Sequence, residues 1–272
     1  MAPIQNPPRG GTVTADMHEP AATKPLAGKV VFITGAAGGL GQAMSKAFAE
    51  HGAAVALADL PERADELGDI ARQLPQAQAV GLDVRDAASI RRAVEETVGG
   101  LGSLDIMVCN AGLNVRTPSL DMTEAEWDTV LDVNLRGVFF SAQAGAKQMV
   151  RQGHGGKIVN IASIMGLVGS ATSGVAYCAS KGGVVNLTRV LAVEWATHDI
   201  QVNAVAPTFV RTPLTAGVFS NEDFLNSVLS RTPNGKLATP ESIADAVVFL
   251  ASAQADLITG VTLPVDGGWT AW

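Results

Sequence analysis

The chain has 272 residues, of which 47% are hydrophobic and 17% are charged, and its formal net charge is −7 at pH 7. This composition excludes global disorder, and an acidic chain without a basic run lacks the positive charge that nucleic-acid binding requires. No apolar stretch reaches the roughly 18 residues of a membrane span, so we expect no membrane partner. The two cysteines, Cys109 and Cys178, cannot build a disulfide framework, and the N-terminus lacks a signal-peptide pattern, so we expect a cytoplasmic protein.

The N-terminal segment differs in composition from the rest of the chain. Five of the 13 prolines lie within the first 25 residues, which show no apolar periodicity. We therefore predict a flexible tail over residues 1–26 and a single domain over residues 27–272.

From Lys29 onward, short apolar runs alternate with longer amphipathic segments. The runs are too short for helices and predict buried strands at Val30–Thr34, Ala54–Asp59, Ala79–Asp83, Ile106–Asn110, Lys157–Ala162, Gln201–Ala206 and Val261–Val265. Helical periodicity predicts helices near Leu40–His51, Arg63–Leu74, Ala87–Val98, Glu124–Arg151, Val175–Thr197 and Pro240–Ala251. This alternation implies right-handed crossovers, and we expect an α/β, doubly wound Rossmann fold with about seven parallel strands and helices on both faces.

A glycine-rich loop joins the first strand to the first helix. It reads Thr34-Gly35-Ala36-Ala37-Gly38-Gly39-Leu40-Gly41. Glycines permit a tight turn there and let backbone N–H groups approach a pyrophosphate at the helix N-terminus. An ordinary turn rich in small residues is the alternative, but the position after the first strand favours dinucleotide binding.

Asp59 ends the second strand, 59 − 39 = 20 residues after Gly39. This is near the offset expected for an acid that binds the adenosine ribose, and a carboxylate there would repel a 2′-phosphate. No Lys or Arg occupies the glycine loop or follows Asp59 directly, and Arg63 is the nearest. We therefore predict NAD as the cofactor; a turn-forming Asp ahead of Pro61 is the alternative.

Tyr177 is the only tyrosine in the chain, and Lys181 follows it by four residues. Residues four apart share one face of a helix. An ammonium at ~4 Å in an effective dielectric of ~20 would favour the phenolate by up to about 4 kcal/mol. That could lower the phenol's pKa by up to about three units, which would suit a general base. The alternative is a pair on a solvated helix face.

Taken together, these motifs resemble the short-chain dehydrogenase/reductase family over about residues 27–268. Further motifs carry the resemblance: Asp83-Val84, Asn110-Ala111-Gly112, Asp132-Val133-Asn134, Asn203-Ala204-Val205-Ala206-Pro207 and Asp266-Gly267-Gly268. The resemblance implies a catalytic tetrad of Asn134, Ser163, Tyr177 and Lys181. It implies cofactor contacts at Gly35, Gly39, Leu40, Gly41, Asp59, Asp83, Val84, Asn110, Gly112, Tyr177, Lys181, Pro207, Val210 and Thr212. Thr208 stands where the family usually has Gly, which bears on the shape of the pocket.

The resemblance also implies a role for each member of the tetrad. Ser163 would polarise the substrate oxygen, and Tyr177 would remove or donate the proton as hydride passes to or from the nicotinamide. Lys181 would lower the pKa of the phenol and bind the nicotinamide ribose. Asn134, inside a long helix, would hold a water that links Lys181 to solvent.

The expected function is therefore an NAD-dependent oxidoreductase that acts on a secondary alcohol or ketone, such as a polyol, ketose or sugar acid. A 3-oxoacyl-thioester reductase of the same family and a nonenzymatic NAD-binding regulator are the alternatives. Scattered histidines and two distant cysteines predict no metal site. Arg116 and Arg211 could pair with a substrate carboxylate, and residues 208–234 could form a mobile lid.

The resemblance also implies a homotetramer, formed through the helices predicted near Glu124–Arg151 and Val175–Thr197. Trp269 and Trp272 are large apolar groups near the C-terminus, and we expect them to dock on a neighbouring subunit.

Overall fold

A computed structural model describes residues 24–170, 174–212 and 220–272. Its seven parallel strands form one sheet in the order β3-β2-β1-β4-β5-β6-β7. The strands are β1 (Val30–Thr34), β2 (Ala54–Asp59), β3 (Ala77–Gly81), β4 (Ile106–Cys109), β5 (Gly156–Ile161), β6 (Ile200–Pro207) and β7 (Thr262–Val265). The expected single Rossmann-type domain is confirmed.

Helices cover both faces of the sheet. They are α1 (Gly39–Glu50), α2 (Ala64–Ala71), α3 (Ala87–Leu101), α4 (Glu124–Leu131), α5 (Val138–Gln152), α6 (Val175–Trp195), α7 (Glu222–Ser230) and α8 (Pro240–Ala251). One hydrophobic cluster joins the sheet to α1, α2 and α8, and a second joins it to α3, α5 and α6. The small, β-branched and aliphatic residues of the strands suit a sheet that is buried on both faces.

The strand order reverses at β1, which lies between β2 and β4. All pairings are parallel, and Thr34 lies beside Ala58, one residue before the end of β2. The carboxyl ends of the strands therefore meet at one edge of the sheet. A doubly wound sheet binds its ligands at such a switch point, outside these ends.

Most helices and strands end within three residues of the expected positions, and three elements differ in position, continuity or existence. The third strand lies two residues earlier than predicted, at the edge of the sheet. The helix predicted over Glu124–Arg151 is interrupted by a π-helical turn at Asp132–Gly137, which separates α4 from α5. Helix α7 was not predicted and lies within the stretch 208–234 that was expected to act as a lid, of which residues 213–219 lie outside the described residues.

Of the predicted tail, residues 1–23 lie outside the described residues. Leu26, which was assigned to that tail, is 3% exposed and belongs to the cluster under α1. Its backbone N–H donates to the carbonyl oxygen of His51 at 3.0 Å, which ties this turn to the end of α1. Within the described ranges, no helix is long and apolar enough to cross a membrane.

Candidate active site

The glycine loop leaves the N-terminus of α1 open. Gly38 precedes the helix and no side chain caps it, and the first turn carries no acidic residue. Gly35 has a φ of +66°, which favours glycine. A Cβ on Gly41 would overlap the carbonyl oxygen of Gly35, so this residue lets the helix pack tightly on the loop. The uncapped N–H groups and the positive end of the helix dipole suit a pyrophosphate.

Asn110 links the two strands at the switch point. Its Nδ2 donates to the carbonyl oxygens of Thr34 at 2.9 Å and Gly35 at 3.0 Å, and its backbone N–H donates to Thr34 Oγ1 at 2.9 Å. A Cβ on Gly35 would lie 2.9 Å from Ala111 Cα. The side chain of Asn110 therefore fixes the glycine loop to the end of β4.

Asp59 faces the glycine loop from the end of β2. Its Oδ2 accepts the backbone N–H of Ala37 at 3.0 Å, and its Oδ1 accepts that of Leu60 at 2.9 Å. The side chain is 10% exposed. Arg63 also reaches this place: it donates to Asp59 Oδ2 at 3.3 Å and to the carbonyl oxygen of Ala37 at 3.0 Å. The sequence identified Arg63 as the nearest basic residue but did not show that its guanidinium turns back onto the loop.

Asp83 and Val84 lie just beyond β3. Arg85 binds both carboxylate oxygens of Asp83, and this hydrogen bonding lowers the pKa of Asp83 despite its partial burial. Val84 is buried and lies against Gly137 of the π-helical turn, where a Cβ would come within 3.0 Å of it. Val84 therefore provides a buried apolar side chain beside β3, while the carboxylate of Asp83 is hydrogen-bonded to Arg85.

The open helix end, the glycines and Asp59 fit a dinucleotide in this part of the chain. Gly112 completes the fit at the other end of the site, because a Cβ there would lie 3.3 Å from Asn134 Oδ1 and 3.6 Å from Lys181 Nζ. Pro207 ends β6 at the same edge of the sheet, and Val210 forms a parallel bridge with Ala238 just beyond it. Thr212, at the end of this described range, is half-buried and makes polar or electrostatic contacts of its own.

Ser163 follows β5 and begins the 3₁₀ turn Ile164–Gly166. Its Oγ accepts the backbone N–H of Met165 at 3.1 Å, and the side chain is buried. A Cβ on Gly166 would press on the backbone of Lys181, so a glycine lets this turn lie directly against α6. The packing of the turn on the helix brings Ser163 to Tyr177, with which it shares a side-chain hydrogen bond.

The phenol of Tyr177 is half-buried beside Ser163. Burial raises the pKa of Tyr177, while the hydrogen bond with Ser163 and the charge of Arg116 act in the opposite direction. We expected Lys181 to be the group that lowers this pKa. In the structure its Nζ lies 5.8 Å from the centre of the phenol ring, so that role stays a prediction, and Ser163 and Arg116 are further groups that favour the phenolate.

Lys181 is 3% exposed and lies one helical turn after Tyr177. Its Nζ donates to the carbonyl oxygen of Ile161 at 2.7 Å. Burial lowers the pKa of Lys181 from 10.5 to about 8, because the ammonium has left water. An ammonium has three donors, so this side chain can also bind a further acceptor, such as a ribose hydroxyl.

Asn134 lies in the π-helical turn and is fully buried. Its Oδ1 accepts the backbone N–H of Leu113 at 2.9 Å, and its Nδ2 donates to the carbonyl oxygen of Leu113 at 2.8 Å and to Ser180 Oγ at 3.3 Å. The regular helix expected at this position is corrected to a π-helical turn, and the expected role of Asn134 in holding a water stays a prediction. Its amide is already bonded to protein groups, and it fixes the loop after β4 against α6. The π turn is the local distortion that presents it.

The loop after β4 brings Arg116 towards Tyr177. Gly174, with a φ of +80°, immediately precedes α6, and a Cβ there would overlap the carbonyl oxygen of Val115. This close approach holds the loop beside the first turn of the helix. Arg116 is exposed, and no carboxylate in the described residues forms a salt bridge with it.

The C-terminal segment folds back onto this site. Asp266 Oδ1 accepts the backbone N–H of Gly268 at 2.9 Å and Oδ2 accepts that of Thr270 at 2.9 Å, so the carboxylate closes a turn. The turn places Trp269, which is 6% exposed, in an edge-to-face contact with Phe209 at 5.5 Å. Trp269 is thus buried in its own chain rather than docked on a neighbour, whereas Trp272 is 83% exposed.

This C-terminal turn completes an apolar wall next to Tyr177. The wall joins Met165, Phe209, Phe224 and Trp269. Thr208 Oγ1 and Trp269 Nε1 are buried without a hydrogen-bond partner in the structure. The sequence did not predict that Trp269 belongs to the site. Its position directly after the Asp266-Gly267-Gly268 motif was the available signal.

Two other chemistries find no support in the described residues. No group of three or more His, Cys, Asp or Glu side chains is placed to hold a metal ion. Burial raises the pKa of Cys109 to about 12, so this thiol is not a nucleophile. Burial also raises the pKa of Cys178. The tetrad residues and the glycine loop therefore remain the candidate site.

The model of a protein family described as enoyl-(acyl carrier protein) reductase matches residues 35–270 of this chain. A 2-dehydro-3-deoxy-D-gluconate 5-dehydrogenase from Dickeya dadantii is 38% identical over 246 residues, which are 90% of this chain and 97% of the relative. A D-threitol dehydrogenase from Mycolicibacterium smegmatis is 40% identical over 251 residues, covering 90% and 94%.

A solved structure from Agrobacterium tumefaciens, assigned as a 2-deoxy-D-gluconate 3-dehydrogenase with bound NADP, is also similar. It superposes with a TM-score of 0.83 and 38% identity, over 93% of this chain and all of the neighbour. The similarity therefore extends over the whole described domain.

Proposed function

This chain belongs to the short-chain dehydrogenase/reductase family and is an oxidoreductase acting on CH–OH groups with a nicotinamide cofactor, and we propose that its cofactor is NAD and its substrate a sugar acid or polyol. The observation that carries the NAD assignment is the carboxylate of Asp59, which ends β2 and bonds to the glycine loop through Ala37. A carboxylate at this position accepts hydrogen bonds from ribose hydroxyls and repels a 2′-phosphate.

The proposed division of labour follows the contacts of the site. Ser163 donates a hydrogen bond to the substrate oxygen. Tyr177 exchanges the proton of the alcohol, because its hydrogen bond with Ser163 places the phenol beside that oxygen. Lys181 holds the nicotinamide ribose with the donors that Ile161 leaves free. Asn134 is a positioning residue that keeps the loop after β4 in place. When bound, NAD accepts or returns the hydride of the substrate carbon.

The substrate class is proposed from Arg116. This exposed guanidinium lies near enough to Tyr177 to favour its phenolate, and the described carboxylates leave it without a salt bridge. A sugar acid could place its carboxylate on Arg116 and its hydroxyl on Tyr177. The gluconate-type dehydrogenase among the relatives acts on an acid and the threitol dehydrogenase on a neutral polyol, so both classes belong in the test.

The experiment follows NADH or NADPH absorbance. Sugar acids, polyols and hydroxysteroids are each supplied with NAD and NADP, and 3-oxoacyl thioesters are supplied with NADH and NADPH. We expect turnover with NAD on sugar acids or polyols. In R116M, the KM for an acid should rise about tenfold or more, because a charged hydrogen bond is worth about 1.5–3 kcal/mol, while the KM for the matching neutral polyol should change little. Equal effects on both substrates would contradict the carboxylate contact.

A 3-oxoacyl-thioester reductase is the second candidate, because the matching family is described as an enoyl-(acyl carrier protein) reductase. Asp59 and the net charge of −7 disfavour it, since such a reductase would normally use NADPH and a basic docking face. Preferential turnover of a thioester with NADPH would establish this candidate. Tight NADH binding without turnover on any substrate would instead favour a regulator.

The proposed assembly is a homotetramer built on α4, α5 and α6. These helices carry exposed apolar side chains, namely Trp127, Val150, Val190 and Val193, of which Val193 is 78% exposed. Apolar groups in such positions are typical of subunit contacts. Light scattering coupled to size exclusion tests this proposal, and a monomeric mass would contradict it. The cytoplasmic location stays a prediction.

A further inference from the structure

Three charged side chains meet where the glycine loop approaches the end of β2. Arg63 donates from Nε and from its terminal nitrogen to both carboxylate oxygens of Glu66, at 2.7 to 2.9 Å. The same guanidinium donates to Asp59 Oδ2 at 3.3 Å and to the carbonyl oxygen of Ala37 at 3.0 Å. We call Asp59, Arg63 and Glu66 the ribose triad, after the part of the cofactor that Asp59 is proposed to bind.

The triad has one positive and two negative charges, so its net charge is −1. The Arg63 side chain is 37% exposed and that of Glu66 is 45% exposed, whereas that of Asp59 is 10% exposed. Arg63 is thus a cation beside the glycine loop, and it already has two carboxylate partners. It binds Glu66 through both carboxylate oxygens and Asp59 through one. Arginine is also the residue best suited to bind phosphate oxygens.

We propose that Arg63 is a latent binding residue for the 2′-phosphate of NADP, withheld from it by Asp59 and Glu66. This inference rests on the proposed NAD site, and it assigns the cofactor preference to three side chains rather than to Asp59 alone. Asp59 acts directly, by repelling the phosphate. Glu66 is a positioning residue, because it contacts Arg63 and holds the guanidinium against α2.

The test uses 5′-AMP and 2′,5′-ADP, which differ by the 2′-phosphate, in calorimetric titrations of the full chain. The parent should bind 5′-AMP more tightly. In D59S, the affinity for 2′,5′-ADP relative to 5′-AMP should rise about ten- to a hundredfold, since a phosphate is then free to form charge-assisted hydrogen bonds with Arg63. In D59S/R63A this gain should disappear.

Glu66 is tested separately. Because its side chain is half exposed, a substitution there should not destabilise the fold. E66Q should raise the relative affinity for 2′,5′-ADP about three- to tenfold, because the amide no longer neutralises the guanidinium. Asp69 offers a matched control: it pairs with Arg72 at the same i, i+3 spacing in the same region of α2. D69N should leave the affinity ratio as it is in the parent.

Each outcome bears on a different part of the inference. A gain in D59S that persists in D59S/R63A would assign the phosphate to another group and overturn the role of Arg63. Parental ratios in both D59S and E66Q would overturn the latent site while leaving NAD as the cofactor. A parent that prefers 2′,5′-ADP would overturn the NAD assignment itself, and the latent site with it.

Discussion

Lys181→Met should change the pH dependence of folding stability, in a direction fixed by the burial of the ammonium. Lys181 is 3% exposed, and its pKa is lowered from 10.5 to about 8. At about 1.36 kcal/mol per pKa unit, the folded chain holds this charge at a cost of about 3 kcal/mol at neutral pH. The cost declines between pH 8 and 10.5, where Lys181 loses its proton in the folded chain but keeps it in the unfolded chain.

Met removes the charge but also removes a hydrogen bond. The carbonyl oxygen of Ile161 accepts from Lys181 Nζ at 2.7 Å, and losing that partner costs about 1–3 kcal/mol at every pH. At about pH 7, the free energy of unfolding of K181M should therefore exceed that of the parent by about 0–2 kcal/mol. From about pH 7 to about pH 9.5, the parent should gain about 2 kcal/mol relative to K181M.

Urea unfolding of both proteins without cofactor, at one protein concentration across that pH range, measures this difference. K46M is the matched control, because the Lys46 side chain is 74% exposed on α1 and carries no comparable burial cost. Its stability difference from the parent should stay nearly constant with pH. A constant difference for K181M as well would refute the reasoning, since it would mean that Lys181 has nearly the same pKa in the folded and unfolded chains.

Three further substitutions test the site. G41A should lose at least about 1–3 kcal/mol of stability in urea unfolding and weaken NADH binding, because its Cβ overlaps the glycine loop; G99A, with open space around its Cβ in α3, should be neutral or stabilising. Y177F should keep NADH binding, measured by fluorescence, and lose about 10²–10⁴-fold in kcat; a retained kcat would rule out the proposed proton transfer. W269A should cost about 3–5 kcal/mol, but W269F less than about 1.5 kcal/mol, since Trp269 Nε1 has no partner to lose; equal costs would reveal a hydrogen bond from the indole.

The sequence predicts the strands best where they are buried on both faces of the sheet. β1 and β2 were predicted to the residue, because unbroken apolar runs stop at the glycine loop and at Asp59. β3 was misplaced by two residues, since an edge strand needs fewer apolar side chains and its Gln78 broke the run. The helical periodicity continues through the π turn at Asp132–Gly137, so no break in the apolar pattern marks this turn.

Helix α7 was missed although its start carries a recognisable signal. Asn221 accepts the backbone N–H of Phe224 at 3.0 Å, and two acidic residues occupy the first turn. This is an ordinary N-cap. The turn residues at the ends of this stretch predict a loop, but the N-cap and the acidic first turn between them favour a helix.

The catalytic residues could be proposed from spacing, but their electrostatics could not. A separation of four residues places Tyr177 and Lys181 on one face of a helix, yet the pKa of each depends on burial and on groups far away in the sequence. Arg116 acts on the phenol because Gly174 lets the loop after β4 approach α6. Such tertiary contacts have no signature in the spacing of a motif.

The ribose triad is the clearest case of this limit. The offset from Gly39 identified Asp59, because the length of one β-α-β unit fixes where the second strand ends. Nothing in that offset says where a guanidinium four residues later will lie. Arg63 turns back because it ends the 3₁₀ turn that begins at Pro61 and because Glu66, three residues on, holds it in place. If this arrangement decides between the two cofactors, a relative that keeps Asp59 but lacks Glu66 should accept NADP more readily, and the acidic residue alone would assign its cofactor wrongly.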